Sequence, residues 1–278
     1  MRWHHEGVLE PVRQRRANVD VIAHRGASED VPEHTLAAYA KAIEDGADAL
    51  ECDVRLTADG VLVCVHDRRI DRTSNGRGVV STLELADLAE LDFGSWKAGW
   101  NGSQEPEEPD RDHSSVLTLT RLLELVADSR RPIEMAIETK HPTRYAGLVE
   151  RRLLEILDHF GWAHPRLGST TPVRVMSSSQ LSMRRMRQLA PSLPTVFLME
   201  RVPLRFRDGT LPYGVRIAGP SIEIVRAHPR FVQRIQRQGN RVHVWTVDLP
   251  DDVDLCLELG VDAIITNRPR SVLERLGR

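Results

Sequence analysis

The chain has 278 residues, of which 41% are apolar and 28% are charged, and its formal net charge is −2. This composition is typical of a globular protein, and it gives no support for a nucleic-acid-binding protein with a broad basic surface. No run of about 18 apolar residues occurs, so the sequence predicts no transmembrane helix. Residues 1–20 lack the apolar core of a signal peptide, and the three cysteines (Cys52, Cys64 and Cys256) cannot all pair, so we expect a cytoplasmic protein with buried thiols.

Apolar, β-prone runs alternate with segments of helical periodicity along the chain. Strands are predicted at 20–24, 48–54, 61–66, 133–139, 172–177, 194–199, 214–218, 241–247 and 262–266. Helices are predicted at 34–45, 82–90, 118–128, 143–160, 179–189, 220–226, 229–238, 250–259 and 270–276. This alternation indicates an α/β protein, and we expect a closed (β/α)8 TIM barrel. An open doubly wound sheet is the alternative, but Gly26 has no GxGxxG fingerprint around it.

Residues 20–278 are therefore predicted to form one barrel domain after an N-terminal extension at residues 1–19. Residues 94–116 interrupt the alternation with several glycines and prolines, two tryptophans and an acidic run. A loop of this length inside a compact domain is usually functional or disordered. We interpret it as an inserted loop or small subdomain over the barrel mouth, and its acidic run as a solvated loop rather than a metal site.

Three carboxylates are predicted to meet at the mouth of this barrel. Glu51 and Asp53 lie two positions apart in one strand, so they share a face, and Glu138 falls near the end of another strand. Carboxylates in one place repel unless a cation or a proton lies between them. An oxygen-only ligand set favours Ca²⁺ or Mg²⁺, with Mn²⁺ as a further option. For any one of these residues alone, a structural ion pair is the alternative.

Two histidines and two basic residues flank these carboxylates in the sequence. His24 and His66 each end an apolar strand in a polar cluster, and imidazole titrates near neutrality, so they are candidates for a general acid and base. Arg25 and Lys140 add positive charge, and arginine is well shaped to hold phosphate oxygens. A divalent cation beside these groups points to chemistry on a phosphoryl group.

Motifs in chain order carry a family resemblance. They are AHRGAS at 23–28, PEHTLAA at 32–38, GADALECDV at 46–54, DGVLV at 59–63, VHD at 65–67, ETK at 138–140, VWTV at 244–247 and GVDAIITNRP at 260–269. In these motifs, which span about residues 20–272, the chain resembles the glycerophosphodiester phosphodiesterase family. The resemblance implies a (β/α)8 barrel that hydrolyses glycerophosphodiesters to glycerol 3-phosphate and an alcohol.

The resemblance also implies roles for individual residues. Glu51, Asp53 and Glu138 would hold one divalent cation, commonly Ca²⁺ or Mg²⁺, and His24 and His66 would be the acid/base pair. Four residues would bind the substrate, namely Arg25 and Lys140 at the phosphate, Glu33 at the metal or a glycerol hydroxyl, and Trp245 at the glycerol. In such a mechanism the neighbouring glycerol hydroxyl attacks phosphorus and water opens the cyclic phosphate. The sequence does not assign the acid and the base between the two histidines.

The chain departs from the family pattern at two positions. His34 stands where the family usually has a helix-capping Asn, so either the cap is weaker or a third imidazole contacts the phosphate. Ser178 stands where the family tends to have an aromatic residue, which predicts a more open or polar pocket and leaves the preferred alcohol undefined.

Two other functions are kept as alternatives. One is a lysophospholipase D-like phosphodiesterase, which would need exposed apolar residues near the mouth, where Phe93, Trp96 and Trp100 are expected. The other is a non-catalytic barrel that binds phosphate or metal, which would be expected to lack a catalytic residue.

Overall fold

The computed structural model describes residues 19–97, 114–141, 147–165 and 171–278. The strands found there are β1 (Asp20–His24), β2 (Ala49–Leu56), β3 (Leu62–Cys64), β4 (Glu134–Thr139), β5 (Val173–Ser177), β6 (Thr195–Met199), β7 (Ile217–Pro220), β8 (Arg241–Val244) and β9 (Ala263–Thr266). All except β3 are parallel to their neighbours, in the order β1-β9-β8-β7-β6-β5-β4-β2 and back to β1. The sheet is therefore a closed eight-stranded barrel, and the predicted (β/α)8 fold is confirmed.

Helices cover the outside of the barrel. They are α1 (Leu36–Glu44), α2 (Leu85–Ala89), α3 (Leu119–Ala127), α4 (Leu148–His159), α5 (Gln180–Leu189), α6 (Ile222–Ala227), α7 (Pro229–Arg237), α8 (Pro250–Leu259) and α9 (Pro269–Leu276). Side-chain oxygens cap three of them: Thr35 accepts from Ala38 N, and Thr118 and Ser179 do the same for α3 and α5. Such caps satisfy backbone N–H groups that a helix start leaves free. In the described part of the chain, no helix combines the length and apolar character needed to cross a membrane.

The short strand β3 corrects one sequence prediction. Residues 61–66 are predicted as a strand after a turn at Asp59-Gly60, with His66 at the end of a barrel strand, but Leu62–Cys64 lies outside the barrel and pairs antiparallel with the end of β2, with Val54 opposite Cys64. This hairpin turns the chain back to the barrel mouth, where Val65 N donates to Asp53 O at 3.1 Å. His66 therefore reaches the mouth on the return arm of a hairpin and not at the end of a barrel strand.

The barrel interior changes from apolar to acidic along β2. Ala49 lies inside the barrel with buried residues of the other strands, which are Ile22, Ala136, Met176, Val196, Leu198, Ile217, Ala263 and Ile265. Glu51 and Asp53 follow on the same face because side chains alternate along a strand. Cys52 points the other way into the layer between strands and helices, and all three cysteines are buried and free, as predicted.

The loop after β1 is held close to α1 by a glycine. Gly26 has φ +84°, and a Cβ atom at this position would lie 2.6 Å from the backbone carbon of Ala38. Only glycine tolerates both the positive φ and this approach. The contact fixes the neighbouring Arg25 and the start of α1 at the barrel mouth.

Three sequence predictions fall partly outside the described residues. The parts that lie outside are most of the predicted extension at 1–19, positions 98–113 of the insertion with Trp100, and the first part of the predicted helix at 143–160. The described start of the insertion contacts the mouth: the Arg72 guanidinium lies 5.7 Å from the centre of the Trp96 ring, and Lys97 donates to the carbonyls of Ser28 and Glu29.

Candidate active site

Three carboxylates converge at the barrel mouth, as the sequence predicts. Asp53 on β2 is the register partner of Glu138 on β4, and Glu51 lies one inward-facing position deeper on β2. One oxygen from each residue lies within 4.8 Å of the others. Burial and then the charge of Asp53 raise the pKa of Glu51 well above its usual value, and the same two causes raise the pKa of Glu138 to about 7. Burial and the neighbouring negative charge thus both disfavour ionisation of two of the three carboxylates.

Asp53 is different, because three basic side chains surround it. Its Oδ2 lies 3.0 Å from Arg25 Nε and 2.9 Å from His34 Nε2, and its Oδ1 lies 3.0 Å from Lys140 Nζ. Burial opposes ionisation, but Lys140, the hydrogen bond from His34 and Arg25 together hold the pKa of Asp53 well below its usual value. Lys140 also contacts Glu138 at 2.8 Å. Asp53 is thus the fixed anion of the cluster.

The carboxylate cluster fits a divalent cation. Asp53 Oδ1 is buried and lies 3.0 Å from the Lys140 ammonium, but it makes no hydrogen bond of good geometry within the described residues. This oxygen therefore keeps lone pairs that a cation could use. The same cation would relieve the repulsion that raises the pKa values of Glu51 and Glu138. A ligand set made only of oxygen suits hard ions such as Ca²⁺, Mg²⁺ and Mn²⁺.

A hydrogen-bond chain behind His24 defines its tautomer. Asn267 Nδ2 donates to Asp248 Oδ2 at 2.6 Å, so the other end of the amide, Oδ1, is an acceptor. His24 Nδ1 lies 2.7 Å from this Oδ1 and must therefore carry a hydrogen, while Ser28 Oγ donates to the same oxygen at 2.8 Å. In the neutral ring this leaves Nε2 of His24 as an unprotonated acceptor. Burial and then the Arg25 charge lower the pKa of His24 to about 3, which favours that neutral ring.

His66 has a carboxylate where His24 has an amide. Its Nδ1 lies 2.7 Å from Asp67 Oδ1, and Arg72 Nε donates to the second oxygen of Asp67 at 2.7 Å. A carboxylate partner stabilises the imidazolium form, which an amide oxygen does less strongly. Burial, together with the charges of Lys140 and Arg25, lowers the pKa of His66, and Asp53 and Asp67 oppose that shift only in part. The two histidines therefore lie in electrostatically different environments.

Glu33 lies at the edge of the site, between Arg72 and Arg25. Both of its oxygens accept from Arg72, at 2.7 and 2.8 Å, and Arg25 Nη1 lies 3.0 Å away. Burial would raise the pKa of Glu33, but the Arg72 hydrogen bonds and the Arg25 charge lower it to about 2. Glu33 thus holds Arg25 in place, and it is not one of the three residues in the cation cluster.

The structure resolves the alternatives for His34. It precedes the N-cap of α1, which is Thr35, so it does not replace a capping residue. Its ring is buried between Asp53 and Tyr39, and the Tyr39 hydroxyl lies 2.8 Å from His34 Nδ1. The same hydroxyl donates to Glu51 O at 3.1 Å. His34 is therefore a partner of Asp53 and not an imidazole that is open to the substrate.

A cavity of about 200 Å³ opens above the carboxylates. Seven of the nine predicted site residues line it, namely His24, Arg25, Glu51, His66, Glu138, Lys140 and Trp245. Asp53 lies buried beneath the cavity and Glu33 lies beside it. Trp245 Nε1 donates to Gly219 O at 2.6 Å, which fixes the indole against one wall. Ser178 and Glu200 add polar groups to the wall, in line with the predicted polar pocket.

Several residues around this cavity were not predicted from the sequence. Asp67 and Asn267 lie in the VHD and GVDAIITNRP motifs, and Arg55 shares the strand face of Glu51 and Asp53, so alternation alone identifies it as a candidate. Asp248 follows β8 by a few residues and carries no local signal. Only the fold brings it behind Asn267.

Comparisons with known proteins identify the family of this chain. The model of the glycerophosphoryl diester phosphodiesterase family matches residues 24–271. A probable glycerophosphodiester phosphodiesterase 1 from Mycobacterium tuberculosis is 47% identical over 251 residues, which is 90% of this chain and 89% of that protein. A glycerophosphodiester phosphodiesterase from Bacillus subtilis is 35% identical, with 89% of this chain and 83% of that protein covered.

Solved structures show the same fold. A phosphodiesterase from Oleispira antarctica, in complex with the product sn-glycerol-3-phosphate, aligns with a TM-score of 0.74 at 22% identity and covers 93% of this chain and 97% of its own. A putative glycerophosphoryl diester phosphodiesterase from Silicibacter pomeroyi aligns with a TM-score of 0.75 at 25% identity and covers 93% of each chain. With the family match over nearly the whole chain, the protein is a phosphoric diester hydrolase that belongs to the glycerophosphoryl diester phosphodiesterase family.

Proposed function

We propose that this protein hydrolyses glycerophosphodiesters to glycerol 3-phosphate and an alcohol, with one divalent cation (Ca²⁺, Mg²⁺ or Mn²⁺) on Glu51, Asp53 and Glu138. The observation that carries the proposal is the convergence of these carboxylates with His24 and His66 at one cavity. The names of the relatives at 47% and 35% identity support the same activity. When bound, such a cation would lower the pKa of an attacking hydroxyl and offset charge on the phosphoryl oxygens.

His24 is the proposed general base. Its Nδ1 hydrogen is committed to Asn267, so Nε2 can accept the proton of the glycerol hydroxyl next to the phosphate. A histidine with a lowered pKa is unprotonated at neutral pH and is ready to act in this way. Attack by that hydroxyl on phosphorus would form a cyclic phosphate and release the alcohol.

His66 is the proposed general acid. Asp67 accepts from its Nδ1 and stabilises the imidazolium, so Nε2 can protonate the leaving alcohol. In the second step the roles reverse: His66 takes a proton from water, which opens the cyclic phosphate, and His24 returns its proton to the glycerol oxygen. Arg25 and Lys140 contribute positive charge beside the phosphoryl group and hold Asp53 in place.

A panel of glycerophosphodiesters and lysophospholipids, assayed with each of the three cations, tests the proposal. We expect cation-dependent release of glycerol 3-phosphate and its loss after exhaustive chelation. Turnover that survives chelation would contradict the cation's role, and no release from any diester with any cation would contradict the proposed function. An analogue whose neighbouring glycerol hydroxyl is methylated should not be cleaved, and its hydrolysis would exclude the cyclic phosphate.

The lysophospholipase D-like alternative gains no support from the residues on which it depends. Phe93 is buried and Trp96 is half-buried against Arg72, while Trp100 lies outside the described residues. The non-catalytic alternative expected a missing catalytic residue, whereas both predicted histidines line the cavity beside the carboxylates. The geometry of the cavity therefore favours glycerophosphodiester hydrolysis over both alternatives.

A further inference from the structure

Arg55 differs from the other basic residues that line the cavity. Arg25 and Lys140 are each ion-paired with carboxylates, Arg25 with Asp53 and Glu33, and Lys140 with Asp53 and Glu138. Arg55 also lines the cavity, but no carboxylate lies within ion-pairing distance of it among the residues that the structure describes. Since arginine stays protonated in proteins, Arg55 brings a positive charge without a bound anion to this site.

The guanidinium of Arg55 is nevertheless held in a defined position. Its Nε and Nη2 donate to the backbone carbonyl of His66, at 3.0 and 2.7 Å. The third nitrogen, Nη1, makes no hydrogen bond to any described residue. The side chain is thus anchored next to the proposed general acid, and it keeps a nitrogen with two N–H groups for a ligand.

The strand register places Arg55 at the level where a phosphate would lie. Arg55 is two positions beyond Asp53 on the same face of β2, roughly 7 Å nearer the mouth. The pairing of Val54 with Thr139 makes Lys140 its neighbour on β4. Arg55 and Lys140 therefore form a basic layer directly above the carboxylates, where an anion bound to a cation on those carboxylates would meet it.

We propose that Arg55 binds the phosphate, with Nη1 donating to a non-bridging oxygen of the phosphodiester and of the phosphate monoester product. This inference rests on the proposed function. A partly buried cation is costly without an anion nearby, and a substrate phosphate supplies that anion. Negative charge on the phosphoryl oxygens increases during attack, so the charge-assisted bond from Arg55 is stronger in the transition state than in the ground state.

Replacement of Arg55 by methionine tests the inference, with Arg55→Lys as the charge-retaining variant. We expect Arg55→Met to lower kcat/KM roughly 10- to 100-fold, which is the usual range for one charge-assisted hydrogen bond. The loss should be similar for sn-glycero-3-phosphocholine and sn-glycero-3-phosphoserine, since both contain the same phosphate. Arg55→Lys should recover part of the activity. Arg77→Met removes the same charge from an exposed side chain outside the site and should change nothing.

Calorimetry provides a measurement that does not depend on turnover. In the presence of Ca²⁺, sn-glycerol 3-phosphate should bind Arg55→Met at least about tenfold more weakly than wild type, while Ca²⁺ itself binds no more weakly.

If product affinity is unchanged and kcat alone falls in both Arg55 variants, Arg55 acts only by holding His66 and the inference is wrong. A loss confined to one head group also overturns it, because Arg55 would then contact the alcohol. If the wild type releases no glycerol 3-phosphate from any diester, the proposed function fails and this inference fails with it.

Discussion

Charged residues lie at both ends of the barrel, and the two ends balance their charges differently. At the base, buried Arg174 is ion-paired with Glu134 and lies 3.7 Å from Asp20, and both carboxylates are about half exposed to solvent. At the mouth, Glu51 and Asp53 are only 2% and 1% exposed. The carboxylates of the base face a buried guanidinium and reach water, so they can serve stability alone. Those of the mouth retain repulsion that only a proton or a bound cation relieves, which is the arrangement expected of a ligand site at the C-terminal face of a barrel.

The largest effect should come from neutralising one carboxylate of the mouth without changing its shape. Glu51→Gln should lower turnover by about 1,000-fold or more, because one ligand of the cation is lost. The same change should leave the melting temperature unchanged or raise it, since burial and the charge of Asp53 both disfavour the carboxylate that Gln replaces. Steady-state kinetics and thermal unfolding without cation measure the two effects. Glu134→Gln at the base is the matched control and should leave kcat within about twofold. A large fall in melting temperature for Glu51→Gln would contradict the repulsion argument.

Asp53→Asn should separate the two acidic residues of β2. It should also abolish turnover, but it should cost about 3 kcal/mol of unfolding free energy, because Arg25, Lys140 and His34 lose a shared buried anion. Chemical denaturation of the cation-free protein measures that cost. Equal stabilities for Asp53→Asn and Glu51→Gln would mean that the opposite pKa shifts of the two residues do not reflect different environments.

A smaller effect is expected behind His24. Asn267→Ala removes the acceptor that fixes the Nδ1 hydrogen, so kcat should fall roughly 10- to 100-fold, as for other residues that orient a functional imidazole. His24→Ala should cost more, about 100- to 10,000-fold. If Asn267 acts through His24, the double variant should be no slower than His24→Ala alone. Additive losses in this cycle would contradict the positioning role, and Gln238→Ala, which removes an exposed amide outside the cavity, should behave as wild type.

The sequence predicted the mouth better than it predicted the contacts that hold the mouth together. Alternation along β2 and the ends of β1 and β4 brought Glu51, Asp53, Glu138 and His24 to one place, because parallel strands of a barrel end on the same side. The sequence places His66 at the mouth as the end of a barrel strand, whereas His66 follows a hairpin strand that the turn at Asp59-Gly60 signals.

Other contacts could not be predicted because they join distant parts of the chain. Asp248 reaches His24 only through Asn267, and His34 pairs with Asp53 only because the loop after β1 folds over β2. These partners decide which tautomer His24 has and which carboxylate stays charged. Local patterns thus identify the reacting groups, while their protonation depends on tertiary contacts that the sequence does not display.

The smallest expected effect is the release of protons when a cation binds to the unaltered protein, and it distinguishes the mouth of the barrel from the base. Without a cation, the raised pKa of Glu138, about 7, means that this carboxyl is mostly protonated at pH 6 and mostly ionised at pH 8. A divalent cation binds the ionised form, so Ca²⁺ binding should release more protons at pH 6 than at pH 8, and affinity should rise with pH by about tenfold per unit for each proton released. Asp53 has a lowered pKa and should contribute none. Calorimetry in two buffers of different ionisation enthalpy counts the protons. If proton release and Ca²⁺ affinity are the same at both pH values, no carboxylate of the mouth holds a proton before the cation binds. The mouth would then not differ from the base of the barrel in the way that the raised pKa of Glu138 implies.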